Sequence, residues 1–333
     1  MKTATQRTSK TRNFAQISFL VFTLVTMFLF FVRLTLSTPA QSLSSTEQEY
    51  KRALVNYHKG DFDGAIAEFD KIIENYLTQH SSADGYRFAS TTASRDDVVM
   101  SYDKIVIVVP RTAAAYNGRG LSYYAKGQFD EAVADLEQAI QLAPRYAEAY
   151  VNLGVVKQNR GDYSGALTAY SQALKLRRDS YVIYYNRGTV QSYLKNFDEA
   201  LADLNQAIAL QPRHAQAYLN RGNVWFEKGD SEKALADYNQ ALKIDPKLSS
   251  AYNNRGNFYF YRKQYELALR DYNEAIKLQP DLSTLYMNRG VARMVQGREN
   301  EADADFKKAV ALDPSLAPTI QARTIKARQY RNQ

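Results

Sequence analysis

Polar and apolar positions along residues 113–316 repeat at two intervals. Within each short window the apolar places fall at helical spacing, as in Phe129, Ala132, Val133, Leu136, Ala139 and Ile140, which form one stripe of an α-helix. Between windows the whole pattern returns every 34 residues. Glycine stands at Gly120, Gly154, Gly188, Gly222, Gly256 and Gly290, with tyrosine four residues ahead of each. If Ala113 is place 1 of a 34-residue unit, Tyr116, Arg119, Gly120 and Tyr123 occupy places 4, 7, 8 and 11 and share one face of a first helix. Lys126-Gly127 then breaks that helix, and Asp130-Glu131 begin a second, where acids suit the positive end of the helix dipole. Pro144 closes the unit. Each unit is a helix–turn–helix that cannot bury its stripes alone, so the period predicts a stack of helix pairs.

The finer pattern resembles the tetratricopeptide repeat. Place 8 is small, places 20 and 27 are alanine, place 24 is aromatic or leucine, and place 32 is proline in five of six units, Arg178 being the exception. Tyrosine replaces the family's tryptophan at place 4. The resemblance covers six in-frame units over 113–316 and implies an all-α, right-handed α-solenoid. Residues 46–112 are expected to hold two degenerate repeats. The first keeps Gly60, Phe62, Ala65 and Phe69. The second, 79–112, keeps a good second helix at Asp96–Pro110, although the run Ile105–Val109 also suits a strand. Residues 317–333 match a single basic capping helix.

Charge is unevenly placed. The net charge is +8, yet residues 1–40 carry five basic and no acidic side chains and 317–333 carry four and none, which leaves the array near neutral. That distribution argues against nucleic acid as a partner. At the N-terminus a basic segment, 1–13, precedes an apolar run, Phe14 to Val32, long enough as a helix to cross a bilayer. Residues 14–33 are therefore expected to be a transmembrane helix or a signal h-region, and 34–45 a flexible spacer. The positive-inside rule puts the N-terminus in the cytoplasm and the repeats on the extracytoplasmic side. Thr38-Pro39-Ala40 offers the alternative of cleavage near Ala40, which makes the chain periplasmic or secreted.

Arginine at place 7 departs from the family's leucine, and an acid at place 23 accompanies it. The pairs are Arg52 with Glu68, Arg119 with Asp135, Arg187 with Asp203, Arg221 with Asp237, Arg255 with Asp271, and Arg289 with Asp305. Where the arginine is missing the acid is missing too, as at Leu153 with Ala169 and Gly85 with Ser101. The covariation predicts an ion pair inside each helix pair, a structural feature without activity. The alternative is two independent surface charges.

Chemistry is sparse. There is no cysteine and only three histidines, His58, His80 and His214, at unrelated spacings, so no metal site and no cofactor are expected. No glycine-rich phosphate loop or nucleophile motif is present, and the chain reads as a non-enzyme. In tetratricopeptide proteins the first helices line a concave groove that holds peptides or helices. The resemblance puts place 6 there, occupied by Asn152, Asn186, Asn220, Asn254 and Asn288, with Asn223 and Asn257 at place 9, Phe226 and Phe260 at place 12 and Tyr261 at place 13. Amides donate and accept together, so the row suits a peptide backbone beside aromatic anchors. The expected function is a membrane-anchored scaffold for a protein or peptide partner. The alternatives are a cleaved soluble adaptor and an accessory or assembly factor of an envelope complex.

Overall fold

A computed structural model describes residues 44–80, 97–102 and 105–331. Among these, seven antiparallel helix pairs follow one another: α1 (Ser45–His58) with α2 (Phe62–His80), α3 (Arg111–Ala125) with α4 (Phe129–Leu142), and α5 (Ala147–Arg160) with α6 (Tyr163–Leu176). Next come α7 (Tyr181–Tyr193) with α8 (Phe197–Leu210), α9 (Ala215–Glu227) with α10 (Ser231–Ile244), and α11 (Ser249–Tyr261) with α12 (Tyr265–Leu278). The last pair is α13 (Ser283–Val295) with α14 (Glu299–Leu312); a 3-10 turn, Pro314–Leu316, then leads into α15 (Ala317–Arg331). The chain divides into two compact units, Met1–Ala149 and Tyr150–Gln333. The apolar run expected to cross a membrane lies outside the described residues, and no described helix is long and apolar enough to do so.

The helix pairs close where the 34-residue pattern places its smallest side chains. Every alanine at places 20 and 27, from Ala132 and Ala139 to Ala302 and Ala309, is fully buried. Opposite them the place-8 glycine lets the partner helix come close. A methyl group on Gly154 would lie 2.5 Å from the Tyr170 ring, and one on Gly256 2.8 Å from Tyr272. The turns are left-handed caps: Gly127 N–H bonds Tyr124 O and Gln128 N–H bonds Tyr123 O, both at 2.9 Å, with Gly127 at φ 76°. Lys195 and Lys263 fill the same place in two pairs at φ 62° and 59°, a conformation that disfavours a side chain.

One expectation is corrected. The second helix of a repeat at 79–112 does not form. Instead β1 (Asp97–Tyr102) and β2 (Ile105–Pro110) make an antiparallel hairpin, Asp97 opposite Pro110 and Tyr102 opposite Ile105. The β-branched density of Val98, Val99 and Ile105–Val109 favours strands, and Val109 is fully buried with Ala113 and Ala114. In the stack, α2 packs directly on α3. Arg119 Nη1 donates to Asp70 Oδ1 at 2.5 Å, as Arg221 donates to Asn205 Oδ1 at 2.7 Å. Lys126 pairs with Asp63 just as Lys228 pairs with Asp198. Both contacts join consecutive repeats at equivalent places. Residues 81–110 are thus inserted between adjacent repeats.

Candidate partner-binding face

The arginines and acids of each pair meet. Arg221 Nε and Nη2 donate to Asp237 Oδ2 and Oδ1 at 2.8 and 2.7 Å, a parallel fork. The same fork joins Arg119 to Asp135 and Arg187 to Asp203. It recurs between Arg255 and Asp271 and between Arg289 and Asp305. Arg52 reaches only one oxygen, Glu68 Oε2, at 3.2 and 3.0 Å.

These acids differ from the surface charges that their sequence also allowed. Asp135, Asp203, Asp237, Asp271 and Asp305 are each at most 6% exposed, so they belong to the core between the two helices of a pair. They can touch no partner and are excluded from any binding face. Asp203 and Asp271 are held by Arg187 and Arg255, whereas Asp305 takes a second guanidinium, Arg293 Nη1, at 2.8 Å. Bonds to the buried aspartates raise the Arg187, Arg221 and Arg255 pKa further above their ordinary value. A further bond went unread in the sequence. Nη1 reaches place 25 of the preceding pair, at Asp70, Ser171, Asn205, Asn239 and Asn273. Each of these five guanidinium groups therefore clamps its own pair and ties it to the one before. The signal was legible as an acceptor recurring two residues beyond the acid.

Within Tyr150–Gln333 the first helices α7, α9, α11 and α13 approach one another more closely than the second helices do, which makes theirs the inner face of that stack. The asparagines lie along this seam. Asn220 Nδ2 donates to Thr189 Oγ1 at 2.9 Å and to the Tyr185 hydroxyl at 3.3 Å. Asn254 Nδ2 donates to Asn223 Oδ1, and Asn288 Nδ2 to Asn253 Oδ1, each at 2.9 Å. Hydroxyls of Tyr238 and Tyr272 donate to Asn223 and Asn257. The amides thus bond helix to helix. Asn152 and Asn186 are buried, and the Asn186 Nδ2 has no acceptor because Val155 stands where Thr189 and Asn223 serve the later pairs.

The aromatic residues separate into two groups. Tyr261 is 70% exposed, with its ring 5.7 Å from Phe226 of the preceding first helix. Phe226 is half-buried and edge-on to Phe258. Phe260 turns away toward Tyr265 of its own second helix and packs with Leu269 and Ala292. The structure adds Tyr193, at the same place as Tyr261 two repeats earlier, 63% exposed and stacked on Tyr163. It also holds His214 between the Tyr181 and Tyr185 rings, at 5.3 and 4.8 Å, where burial lowers its pKa.

Tetratricopeptide repeat models match residues 49–76, 120–160, 159–192, 185–249, 249–282 and 283–316. The chain is a tetratricopeptide repeat protein. As such it is a protein-interaction scaffold, of a family that is generally non-catalytic. A tetratricopeptide repeat protein from Parabacteroides merdae aligns at 17% identity and a TM-score of 0.63, over 84% of this chain and 99% of its own. A chain of the APC/C hetero-tetramer Cut9–Hcn1 aligns at 16% identity and a TM-score of 0.60, over 83% of this chain and 48% of its own, so this chain spans about half of it. Pseudomonas aeruginosa PilF aligns at 20% identity and a TM-score of 0.53, over 61% of this chain and 92% of its own. At these identities the likeness shows the fold alone. No curated protein sequence matches the chain.

Proposed function

We propose that this tetratricopeptide repeat protein is a membrane-anchored scaffold that holds a partner helix or peptide against the first-helix face of Tyr150–Gln333. The observation that carries the reading is Tyr261, a largely exposed ring set beside Phe226 and next to the polar seam. An exposed aromatic ring backed by a second ring is the chemistry by which such faces hold an apolar side chain. The Cut9–Hcn1 neighbour is itself part of a hetero-tetramer, which fits a role in assembly. Anchoring rests on the sequence: the run Phe14–Val32 with basic residues ahead of it orients the repeats to the extracytoplasmic side. Small residues at Thr38-Pro39-Ala40 favour a second reading, a soluble adaptor released by cleavage.

A photo-crosslinking residue installed in the full chain at Tyr261, in intact cells, tests the binding face. A discrete partner adduct there and none at Leu267, on the second helix α12, is the expected result. Equal capture at both positions rejects the face. Mass of the mature N-terminus separates anchor from adaptor.

A further inference from the structure

The helix α15 does not sit where a next first helix would. In α7, α9, α11 and α13 the third and tenth places are buried, as Ile183 and Val190, Ala217 and Val224, Ala251 and Phe258, Leu285 and Ala292. The same places in α15 are Thr319 and Lys326, both exposed. This helix packs on α13 instead. Its stripe Ile320, Thr324 and Ala327 turns inward, and Ile320 and Ala327 join the cluster of Met287 and Met294.

The α14 surface departs from the five preceding second helices at two places: Asp303 stands where they carry Val133, Leu167, Leu201, Leu235 and Leu269, and place 25 changes as well. Wherever an arginine arrives at place 7, an Asp, Ser or Asn waits at place 25 of the preceding pair. On α14 that place is Lys307, so Arg323 in the regular seat would meet an ammonium. Arg323 instead donates to Asn288 Oδ1 at 3.1 Å, on the seam of asparagines, and Arg328 lies 3.6 Å from Glu299. The seat left free on α14 is an open cleft lined by Asp303, Phe306, Lys307, Val310 and Ala311.

We propose that α15 is a self-ligand of the first-helix face: it fills, within the molecule, the seat on α13 that takes a basic amphipathic helix of a partner, and it leaves when that helix binds. The proposal rests on the reading of this face as the binding face. It fixes the partner's chemistry: apolar or small residues at i, i+4 and i+7, and an arginine aimed at the Asn288 carbonyl.

The probe is a fluorescent peptide of residues 317–331, added to the full-length protein and to the double variant Ile320→Asp/Ala327→Asp, which forces carboxylates into the buried stripe and releases α15. The released variant is expected to bind the peptide at least tenfold more tightly than the wild type, and a peptide carrying Arg323→Glu at least tenfold more weakly than the native peptide. Equal binding to both proteins, or none to a released variant with unchanged helical content, overturns the proposal. Should the variant unfold, hydrogen exchange on the wild type decides: α15 amides are expected to exchange at least tenfold faster than those of α13, and equal protection overturns it. The two readings fail differently. Loss of capture at Tyr261 with peptide binding intact rejects only the binding-face reading.

Discussion

Replacing Arg221 with leucine strips the Asp237 carboxylate of both its guanidinium bonds and removes the link to Asn205. The Asp237 side chain is only 8% exposed, so water cannot substitute. An uncompensated buried charge costs ~3–5 kcal/mol, and the Asn205 hydrogen bond adds ~1 kcal/mol. Asp237→Ala leaves a guanidinium that is 21% exposed and still bonded to Asn205, so its cost falls toward the lower end, ~3 kcal/mol. The double variant recreates what α5 and α6 already carry, Leu153 and Ala169, both buried apolar side chains in the same two places. It is expected to lie only ~1–2 kcal/mol below the wild type. Urea unfolding of all four proteins gives the cycle, and hydrogen exchange in α9 and α10 guards against segmental unfolding of a repeat array. Single costs that sum to the double within ~0.5 kcal/mol would refute the buried pair.

The other clamps and the tight helix contacts predict a graded response. Arg289→Leu should cost ~1 kcal/mol less than Arg221→Leu in urea unfolding, because Asp305 keeps its bond from Arg293. Gly154→Ala drives a methyl group into the fully buried Tyr170 ring, whereas the nearest atom to a Gly120 methyl is Leu136 Cγ at 3.1 Å; Gly154→Ala should lose at least ~1 kcal/mol more than Gly120→Ala. Lys263→Gly relieves a left-handed side-chain conformation and should raise stability by ~0.5–1 kcal/mol, read as a higher urea midpoint. His214 has a pKa below its ordinary value of 6.5 because it is buried, so the unfolded chain binds the proton more readily and stability falls as pH drops through about 6.5 toward the lower folded value. Melting temperatures from pH 7.5 to 5 should show that decline, and His214→Leu should flatten most of it; burial also lowers His58, which leaves a residual slope.

The helix pairs were legible because period and packing are the same fact: a place that recurs every 34 residues meets the same neighbour each time. Arg221 and Asp237 could be paired from sequence alone because they vanish together at Leu153 and Ala169. Depth was not legible: nothing in the spacing says that Asp203, Asp271 and Asp305 lie in the core, because a surface pair would covary in the same way. The hairpin was misread because Val98, Ile105 and Val108 satisfy a helical template and a strand equally well at that spacing. The asparagine row was visible as a pattern, but its use was hidden. Whether an amide faces a ligand or the next helix depends on what stands one repeat away, such as Thr189 beside Asn220 or Val155 beside Asn186. The displacement of α15 goes with Asp303 and Lys307 on α14 and with Thr319 and Lys326 on α15, whose meaning appears only once the neighbours of each place are known.

The insertion of residues 81–110 has a consequence for how such arrays acquire new parts. Chain leaves the stack at His80 and returns at Arg111, between two repeats that pack directly on one another. The entropic cost of closing a loop grows only with the logarithm of its length. A segment of quite different size could therefore be spliced at this junction while Arg119 still finds Asp70, which makes the gap between α2 and α3 a docking port for grafted domains in engineered versions of the protein.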